Sequence, residues 1–359
     1  MSRPEVVLVL GAGATVGGGF QVRYKGTIWK PPMDFNFFET PVVQGILTGT
    51  DNYPVLNYYR QGNSLEANWA KVDLYYKLCN RGLITEEEAF KLLKSGMEKS
   101  AVPGYAKKLG TETSCLAVPS MALWELRALL LEVYRNLKHR RRRQSPLFRL
   151  IRNLMDKKLL KGIITFNYDT SVEYCFGPIF FYPSLPNQDS KKLPLMKLHG
   201  SLNWQADSHS NPHISVMKPI TKLAEIDHDG KKWKQPEVIG PTFFKQEITF
   251  DIEAKRDFRA PVYKDLWKFA WQRLKTATHL VFVGFSFPQT DFHAAALFRT
   301  AHLSGSGFRR VILCHFRDSN LRRTAEQVFA GKMTELTEFP DGLQDMASRV
   351  DELVGLLSA

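Results

Sequence analysis

Short runs of apolar residues recur along the chain, and each ends in small or polar residues. Five runs stand out in the 359 residues: Glu5 to Leu10, Gly162 to Phe166, Leu193 to Leu198, Leu280 to Phe285 and Val311 to Phe316. Continuous apolar runs of strand length are typical of parallel strands that are buried on both faces. The pattern therefore predicts a parallel sheet with at least these five strands.

Helix-like stretches lie between these runs. The clearest covers Ser120 to Leu137, and its apolar positions form one buried stripe. The others are Pro146 to Lys157, Tyr263 to Lys275, Phe292 to His302, Leu321 to Phe329 and Leu343 to Leu357. Alternating strands and helices predict a doubly wound, Rossmann-like α/β fold, in which ligands bind beyond the carboxyl ends of the strands.

Two stretches are too long to be ordinary connections in such a fold. Thr27 to Thr113 contains aromatic clusters and an amphipathic pattern from Glu86 to Met97, which predict an inserted, mostly helical module. Trp204 to Pro261 is rich in Pro, Lys and Asp, which predicts a loop-rich insertion with short strands near the site. The whole chain, 1–359, is otherwise expected to form one domain.

The formal net charge is +13, and part of this excess lies between Lys138 and Lys161, where residues 138–143 read KHRRRR. A basic segment of this kind can bind nucleic acid. The alternative is a solvated helix end followed by a flexible basic loop. We favour that alternative because no aromatic residues are interleaved with the arginines of residues 140–143, as a single-strand stacking site would require.

Four cysteines are present, at Cys79, Cys115, Cys175 and Cys314. None forms the close pair of a zinc knuckle or a dithiol redox site, so no metal is expected. No signal peptide is visible at the N-terminus, and the apolar stretches are shorter than the roughly 20 residues of a membrane helix. These features predict a soluble, cytoplasmic protein that does not contact a membrane.

The first predicted strand leads into a glycine-rich turn, Gly11 to Thr15, followed by Gly17 to Gly19. Glycines allow a backbone to approach a pyrophosphate closely, and the amides of a following helix attract negative charge. The strict G-x-G-x-x-G pattern fails at Val16, which makes a hydride-transferring dinucleotide enzyme less favoured. A glycine turn without a ligand is the alternative interpretation.

Polar side chains follow the next two strands and a later helix start. Asn167 and Asp169 can bond a ribose hydroxyl and a carboxamide, whereas His199 can transfer a proton near neutral pH. Each has a structural alternative, since Asn167 or Asp169 could cap a helix and His199 could be a satisfied polar group in a turn. Asp291 follows Pro288 at a predicted helix start, and capping of that helix is the favoured interpretation. For His293 two interpretations stay open: its side chain faces either the cleft or a partner chain.

Taken together and in this order, these motifs resemble those of SIR2-like proteins. The resemblance runs from Val6 to about Arg317 and is carried by the Gly-Ala-Gly opening, the Asn-x-Asp, the His-Gly and the Gly-Phe-Ser at Gly284 to Ser286. Within the family, residues Lys197 to Trp204 and Gly284 to Pro288, with Asp291 and His293, look closer to the bacterial SIR2-like NAD hydrolases of antiviral defence.

The resemblance implies NAD as the substrate and a role for each matched residue. Asn167 would hold the nicotinamide ribose and water, Asp169 would bond the carboxamide, and His199 would act as the base. Residues that would hold the rest of NAD are Gly11, Ala12, Gly13 and Thr15 at the pyrophosphate and Gly284 and Ser286 at the adenosine half, with Cys314 to Phe316 flanking the adenine.

The chain departs from the protein-deacylating members at two points. Phe166 stands where they carry Gln, and the paired cysteines of their zinc module are missing between His199 and Leu280. The resemblance therefore implies an NAD glycohydrolase, with deacylation or ADP-ribosyl transfer as the alternative. A basic nucleic-acid-binding module regulated by NAD is a second alternative. Because NAD hydrolysis is toxic, we also expect a homo-oligomer or a regulatory partner protein that restrains it.

Overall fold

The computed structural model describes residues 4–49, 53, 56, 62–80, 117–138, 142–185, 189–208, 213–228, 233–239, 259–288, 291–318, 320–332 and 334–358. The helix predicted over Glu86 to Met97 lies outside the described residues, and so do Arg140 and Arg141 of the basic run.

The described strands and helices alternate along most of the chain. The strands are β1 (Val6–Leu10), β2 (Val22–Tyr24), β3 (Thr27–Trp29), β4 (Leu160–Thr165), β5 (Phe180–Phe181), β6 (Leu193–Lys197), β7 (Gly200–Ser208), β8 (His213–Val216), β9 (Asp227–His228), β10 (Trp233–Val238), β11 (His279–Val283), β12 (Arg310–Cys314) and β13 (Glu335–Phe339). The α-helices are α1 (Ala12–Gly17), α2 (Pro41–Gly49), α3 (Leu65–Asn80), α4 (Ala117–Tyr134), α5 (Pro146–Asp156), α6 (Ser171–Phe176), α7 (Arg259–Thr276), α8 (Phe292–Ser304), α9 (Leu321–Val328), α10 (Gly342–Ser348) and α11 (Val350–Ser358). No described helix has the length and apolar character needed to cross a membrane.

Seven strands form one parallel sheet in the order β13-β12-β11-β1-β4-β6-β5. The predicted α/β fold with a doubly wound parallel sheet is confirmed, and the five predicted strands are β1, β4, β6, β11 and β12. The sequence analysis missed β5, which has only two residues, and β13, an edge strand without a continuous apolar run. The helix predicted over Leu343 to Leu357 is two helices, α10 and α11, which meet at Arg349.

The strand order reverses direction at β1. From β1 the chain forms β4, then β5 at the sheet edge and then β6 between them, and it returns to the other side of β1 with β11, β12 and β13. The loops that follow β1 and β11 therefore leave a switch point of the sheet side by side, which is where open α/β sheets bind their ligands.

The two insertions pack together beside the sheet. The first contains β3, a 3₁₀ helix at Asp34–Glu39, α2 and α3, with β2 just before its predicted start. A four-stranded antiparallel sheet in the order β8-β7-β10-β9 covers much of the second and begins earlier, at Gly200. With α4 they form a second hydrophobic cluster, separate from the cluster around the parallel sheet. The sequence predicts mainly loop in the second insertion because the segment is rich in Pro, Lys and Asp. In the structure Pro236 lies within β10, which shifts register after it, and the polar Gln205 is buried on β7, so the usual alternation of polar and apolar residues is lost.

Backbone contacts hold the two switch-point loops against each other. The Gly11 amide donates to the Val283 carbonyl at 3.0 Å, and the Gly13 amide donates to the Gly284 carbonyl at 3.1 Å. A Cβ atom on Gly13 would lie 2.8 Å from the Gly284 Cα, and Gly284 itself has a φ of +60°. These glycines are therefore required by the packing of the protein itself, whatever ligand the loops bind.

We expect Gly284→Ala to lower the free energy of unfolding by about 2 kcal/mol or more, because the added Cβ would lie 2.3 Å from the Gly13 carbonyl carbon in a strained backbone conformation. Urea unfolding measures this loss. The matched control is Gly355→Ala in α11, where a Cβ meets nothing within 4 Å; there we expect a gain of about 0.5–1 kcal/mol. Equal effects in the two variants would contradict the close-approach argument.

Candidate functional site

A cavity of about 600 Å³ opens at the carboxyl ends of the parallel strands, over the switch point. Nine residues are predicted as catalytic or as holding the carboxamide, the pyrophosphate and the adenosine half, and eight of them line the cavity: Gly11, Ala12, Gly13, Thr15, Asn167, Asp169, Gly284 and Ser286. These residues come from the ends of β1, β4 and β11, which are neighbours in the sheet. The ninth, His199, follows β6 and does not line the cavity.

Asn167 is fixed by hydrogen bonds to the glycine loop. Its Nδ2 donates to the Gly11 carbonyl at 2.8 Å and to Thr15 Oγ1 at 3.2 Å. Both amide hydrogens are therefore used, and the carbonyl oxygen Oδ1 is the polar atom left to accept a hydrogen bond from a ligand or a water. This arrangement joins the loop after β4 to the loop after β1.

Asp169 completes the same network. Thr15 Oγ1 donates to Asp169 Oδ2 at 2.7 Å, and the Ser171 amide donates to Asp169 Oδ1 at 2.8 Å. The carboxylate thus orients Thr15 and stabilises the turn into α6, in line with the structural alternative raised from the sequence. Its direct contact with a nicotinamide carboxamide stays a prediction.

His199 lies behind the cavity wall. Its ring is edge-on to Phe166 at 5.2 Å between centroids, and Phe166 lines the cavity and stacks on Phe285 at 4.6 Å. The His199 side chain is only 2% exposed, and its Nε2 lies 3.2 Å from Asp291 Oδ2. Burial lowers the pKa of His199, but the charge and hydrogen bonding of Asp291, with a further contribution from Glu66, outweigh burial and raise the pKa above its ordinary value.

Residues from the first insertion form the wall that the sequence analysis missed. Asp34, Phe35, Glu66 and Tyr134 line the cavity, the last of them from the end of α4. Asp34 accepts hydrogen bonds from Ser64 Oγ and the Glu66 amide and so holds the start of α3. Ser64 followed by Glu66 is a sequence pattern that indicates a helix start. Nothing in the sequence indicated that Asp34, an acid 30 residues earlier, would cap this helix.

The opposite end of the cavity is formed after β12. His315, Phe316, Asp318 and Leu321 line it there, and Phe316 is 74% exposed. His315 is held from both sides, because Nδ1 accepts from the Asp318 amide at 3.0 Å and Nε2 lies 3.2 Å from Glu338 Oε1. An exposed aromatic ring at a cavity rim is suited to stacking on a flat ligand group.

The cavity wall is acidic although the chain is basic. Four carboxylates line it, from Asp34, Glu66, Asp169 and Asp318, and no Lys or Arg is among the described lining residues. An anionic group in this cavity would therefore depend on neutral donors, and the amides of Gly11, Gly13 and Ala14 already donate to the carbonyls of Val283, Gly284 and Gly11.

A buried ion pair supports the site from below. Lys197 Nζ lies 3.0 Å from Glu173 Oε1 and also donates to the Asp169 carbonyl, and both side chains are at most 1% exposed. Tyr182 donates to the same Glu173 oxygen at 2.8 Å, and Asn203 Nδ2 donates to Tyr182 at 2.9 Å. The network links β6, α6 and β7, and it fixes the backbone that carries Asp169.

The basic segment has an aromatic neighbour that the sequence order conceals. A second cavity, of about 470 Å³, is lined by Arg143, Phe148, Arg152, Met155, Phe176 and Ile179. Phe148 and Phe176 stack in parallel at 4.7 Å. Phe148 lies between Arg143 and Arg152 in the sequence, whereas Phe176 comes from α6, so the fold adds a second aromatic ring beside these arginines. Arg152 also pairs with the exposed Asp156 at 2.9 Å.

No protein-family model matches the chain, and no curated protein matches it in sequence. Solved structures do resemble it. A Sir2 homologue in complex with NAD aligns with a TM-score of 0.47 and 12% identity over 99% of this chain and 91% of that chain. A Sir2 enzyme aligns with a TM-score of 0.44 and 12% identity over 98% of this chain and 93% of that chain. Sir2Tm bound to a propionylated peptide aligns with a TM-score of 0.44 and 12% identity over 98% of this chain and 94% of that chain. At these scores, the fold assignment rests on the sheet order of the chain itself.

Breaking the buried pair should be costly. We expect Lys197→Met to lower the free energy of unfolding by about 3–5 kcal/mol, because Glu173 is left as an uncompensated buried charge. The double variant Lys197→Met/Glu173→Leu removes both charges and should recover part of that loss. Urea unfolding of the two variants makes the comparison, and the exposed pair of Arg152 and Asp156 is the control, where Arg152→Ala should cost no more than about 1 kcal/mol. A double variant less stable than Lys197→Met would contradict the role given to the pair.

Proposed function

We propose that the protein is an NAD glycohydrolase, which releases nicotinamide and ADP-ribose. The observation that carries the proposal is the meeting of the glycine loop, Asn167 and Gly284 to Ser286 in one cavity, with the Asn167 amide fixed by Gly11 and Thr15. The motif resemblance supports NAD as the substrate. It also extends the proposal to a role in antiviral defence, in which the protein depletes NAD. We propose that a homo-oligomer or a partner protein controls this activity.

In the proposed reaction, the bond between the ribose C1′ and the nicotinamide nitrogen breaks, and nicotinamide leaves with the bonding electrons. Positive charge then develops on the ribose, and a water adds to C1′ and loses a proton. Asn167 Oδ1 is placed to accept a hydrogen bond from that water or a ribose hydroxyl, and the acidic cavity wall stabilises the developing charge. His199 is the base that accepts the proton.

Hydrolysis is favoured over transfer to a lysine-bound acyl group. Phe166 occupies the position where deacylating members of the family carry Gln, and its ring packs against Phe285 and His199. This apolar wall cannot hydrogen-bond an acyl-lysine intermediate. Water is therefore the proposed acceptor, and turnover should not depend on a peptide or another macromolecule.

Asn167→Ala should lower NAD turnover by about 100-fold or more, because the water and the ribose lose the group that orients them. The assay is chromatographic separation of nicotinamide and ADP-ribose after incubation of the purified protein with NAD. Asn153→Ala is the matched control, since Asn153 lies on α5 and bonds the Arg149 carbonyl within its own helix. Full activity in the Asn167 variant would contradict the assignment.

Nucleic-acid binding is a second candidate function, favoured by the arginine and phenylalanine cavity beside α5. We expect Arg143→Ala/Arg152→Ala to weaken single-stranded nucleic-acid binding and to reduce the slope of log affinity against log salt by about 1–2, since two phosphate contacts are lost. Fluorescence anisotropy at several salt concentrations measures both effects. Lys222→Ala/Lys234→Ala is the control, with the same change in charge on exposed residues elsewhere. An equal loss in both variants would indicate nonspecific charge attraction alone.

A further inference from the structure

We propose that Asp291 is a positioning residue that holds His199 in the tautomer with its proton on Nε2, so that Nδ1 is the nitrogen that accepts a proton. The inference rests on the proposed NAD cleavage and assigns the role of each ring nitrogen. It also gives Asp291 a function beyond the helix cap expected from the sequence.

The Asp291 carboxylate has two separate tasks because its two oxygens face different partners. Oδ1 accepts a hydrogen bond from the Ala294 amide at 3.2 Å and so caps α8. Oδ2 lies 3.2 Å from His199 Nε2, and both side chains are at most 2% exposed. The cap fixes the carboxylate group, so the second oxygen is held in place toward the histidine. Capping and positioning are therefore compatible.

The carboxylate can only accept a hydrogen bond, so the nitrogen that faces it carries the proton. The contact between His199 Nε2 and Asp291 Oδ2 is short but bent, because Oδ2 lies off the direction of the N–H bond. Catalytic hydrogen bonds are commonly long or poorly aligned without substrate and tighten when substrate binds. Nδ1 is then the unprotonated nitrogen. It is buried and has no hydrogen-bond partner among the residues that the structure describes.

The surroundings of His199 make the Asp291 charge effective. The rings of Phe166 and Tyr168 flank the imidazole at 5.2 and 6.1 Å between centroids, which keeps water away from it. The charged groups that act on it are Asp291 from the start of α8 and Glu66 from α3, and both favour the protonated imidazole. Burial raises the pKa of Tyr168 well above its ordinary value, so this phenol stays neutral.

Phe166 separates His199 from the cavity in this structure, because its ring lies between them and forms part of the cavity wall. The proposed reaction therefore requires the Phe166 ring to turn aside when substrate binds. Nδ1 then becomes the basic group exposed to the ribose or the attacking water.

Asp291→Asn tests the proposal because it reverses one hydrogen bond and leaves the cap in place. The Ala294 amide needs an acceptor, so the Asn oxygen must face it and the Asn NH₂ must face His199. An N–H donor at Nε2 forces the histidine proton onto Nδ1, which removes the base. Asn caps helices as well as Asp does, so we expect little change in thermal stability.

Two measurements are made on wild type, Asp291→Asn and Asp291→Ser, in which the short Ser side chain keeps the cap without reaching His199. The first is the pH dependence of kcat and KM for nicotinamide release. The second is NMR of ¹⁵N-labelled histidine rings, with the His199 signals assigned by comparison with His199→Gln. The tautomer read by NMR does not depend on activity.

We expect Asp291→Asn to lower kcat by about 100-fold or more, with KM changed by less than about threefold, and Asp291→Ser to lose less. Wild-type kcat should rise with pH through the pKa of His199, since the base must be unprotonated, and this limb should be lost in Asp291→Asn. NMR should find the proton on Nε2 in wild type and on Nδ1 in Asp291→Asn.

The outcomes separate the two hypotheses. An active wild type with the proton on Nδ1, or an Asp291→Asn variant with kcat within about threefold of wild type, would overturn the positioning role. A wild type that cleaves no NAD but carries the proton on Nε2 would overturn the proposed function and leave the Asp291 contact supported.

Discussion

The close approach of two backbones at the sheet switch point is the constraint on which the site depends. The loops after β1 and β11 touch through Gly11, Gly13 and Gly284, at distances that leave no room for a Cβ atom. This contact brings the end of β11 against the glycine loop, and the Gly11 and Gly13 amides join the two by donating to the Val283 and Gly284 carbonyls. A larger residue at any of the three positions would separate the loops, and the two halves of the cavity would no longer meet.

Buried polar groups then fix the side chains that the sheet brings together. Asn167 and Asp169 are oriented through Thr15, and the backbone beneath them is held by Lys197 and Glu173. Thr15, Asp169, Lys197 and Glu173 are buried and cannot rely on water, so loss of one member exposes the others to the cost of an unsatisfied polar group. These contacts orient the site's side chains without any ligand, as the proposed reaction would require for a ribose and a water.

The sequence predicted the parts of this structure that follow from continuous apolar runs and from strand ends. It located β1, β4, β6, β11 and β12, and eight predicted site residues meet in one cavity because the carboxyl ends of parallel strands share an edge. It missed β13, in which only Phe339 is fully buried. Contacts between distant residues, such as Asp34 with Glu66 and Asp291 with His199, could not be predicted from neighbouring residues in the sequence. Each contact depends on how an insertion or a later helix packs against the sheet.

The charges that line the cavity differ from the charge of the whole chain, and this difference bears on how the cavity would hold a dinucleotide. The chain carries a formal charge of +13, yet the described cavity wall has four carboxylates and no Lys or Arg. A pyrophosphate in this cavity would therefore depend on neutral donors, which carry only partial charges, whereas a cationic group gains from every carboxylate nearby. In the proposed NAD cleavage, such a wall would stabilise the positive charge that develops on the ribose more than the negative charge of the phosphates, and this selective stabilisation would accelerate bond cleavage.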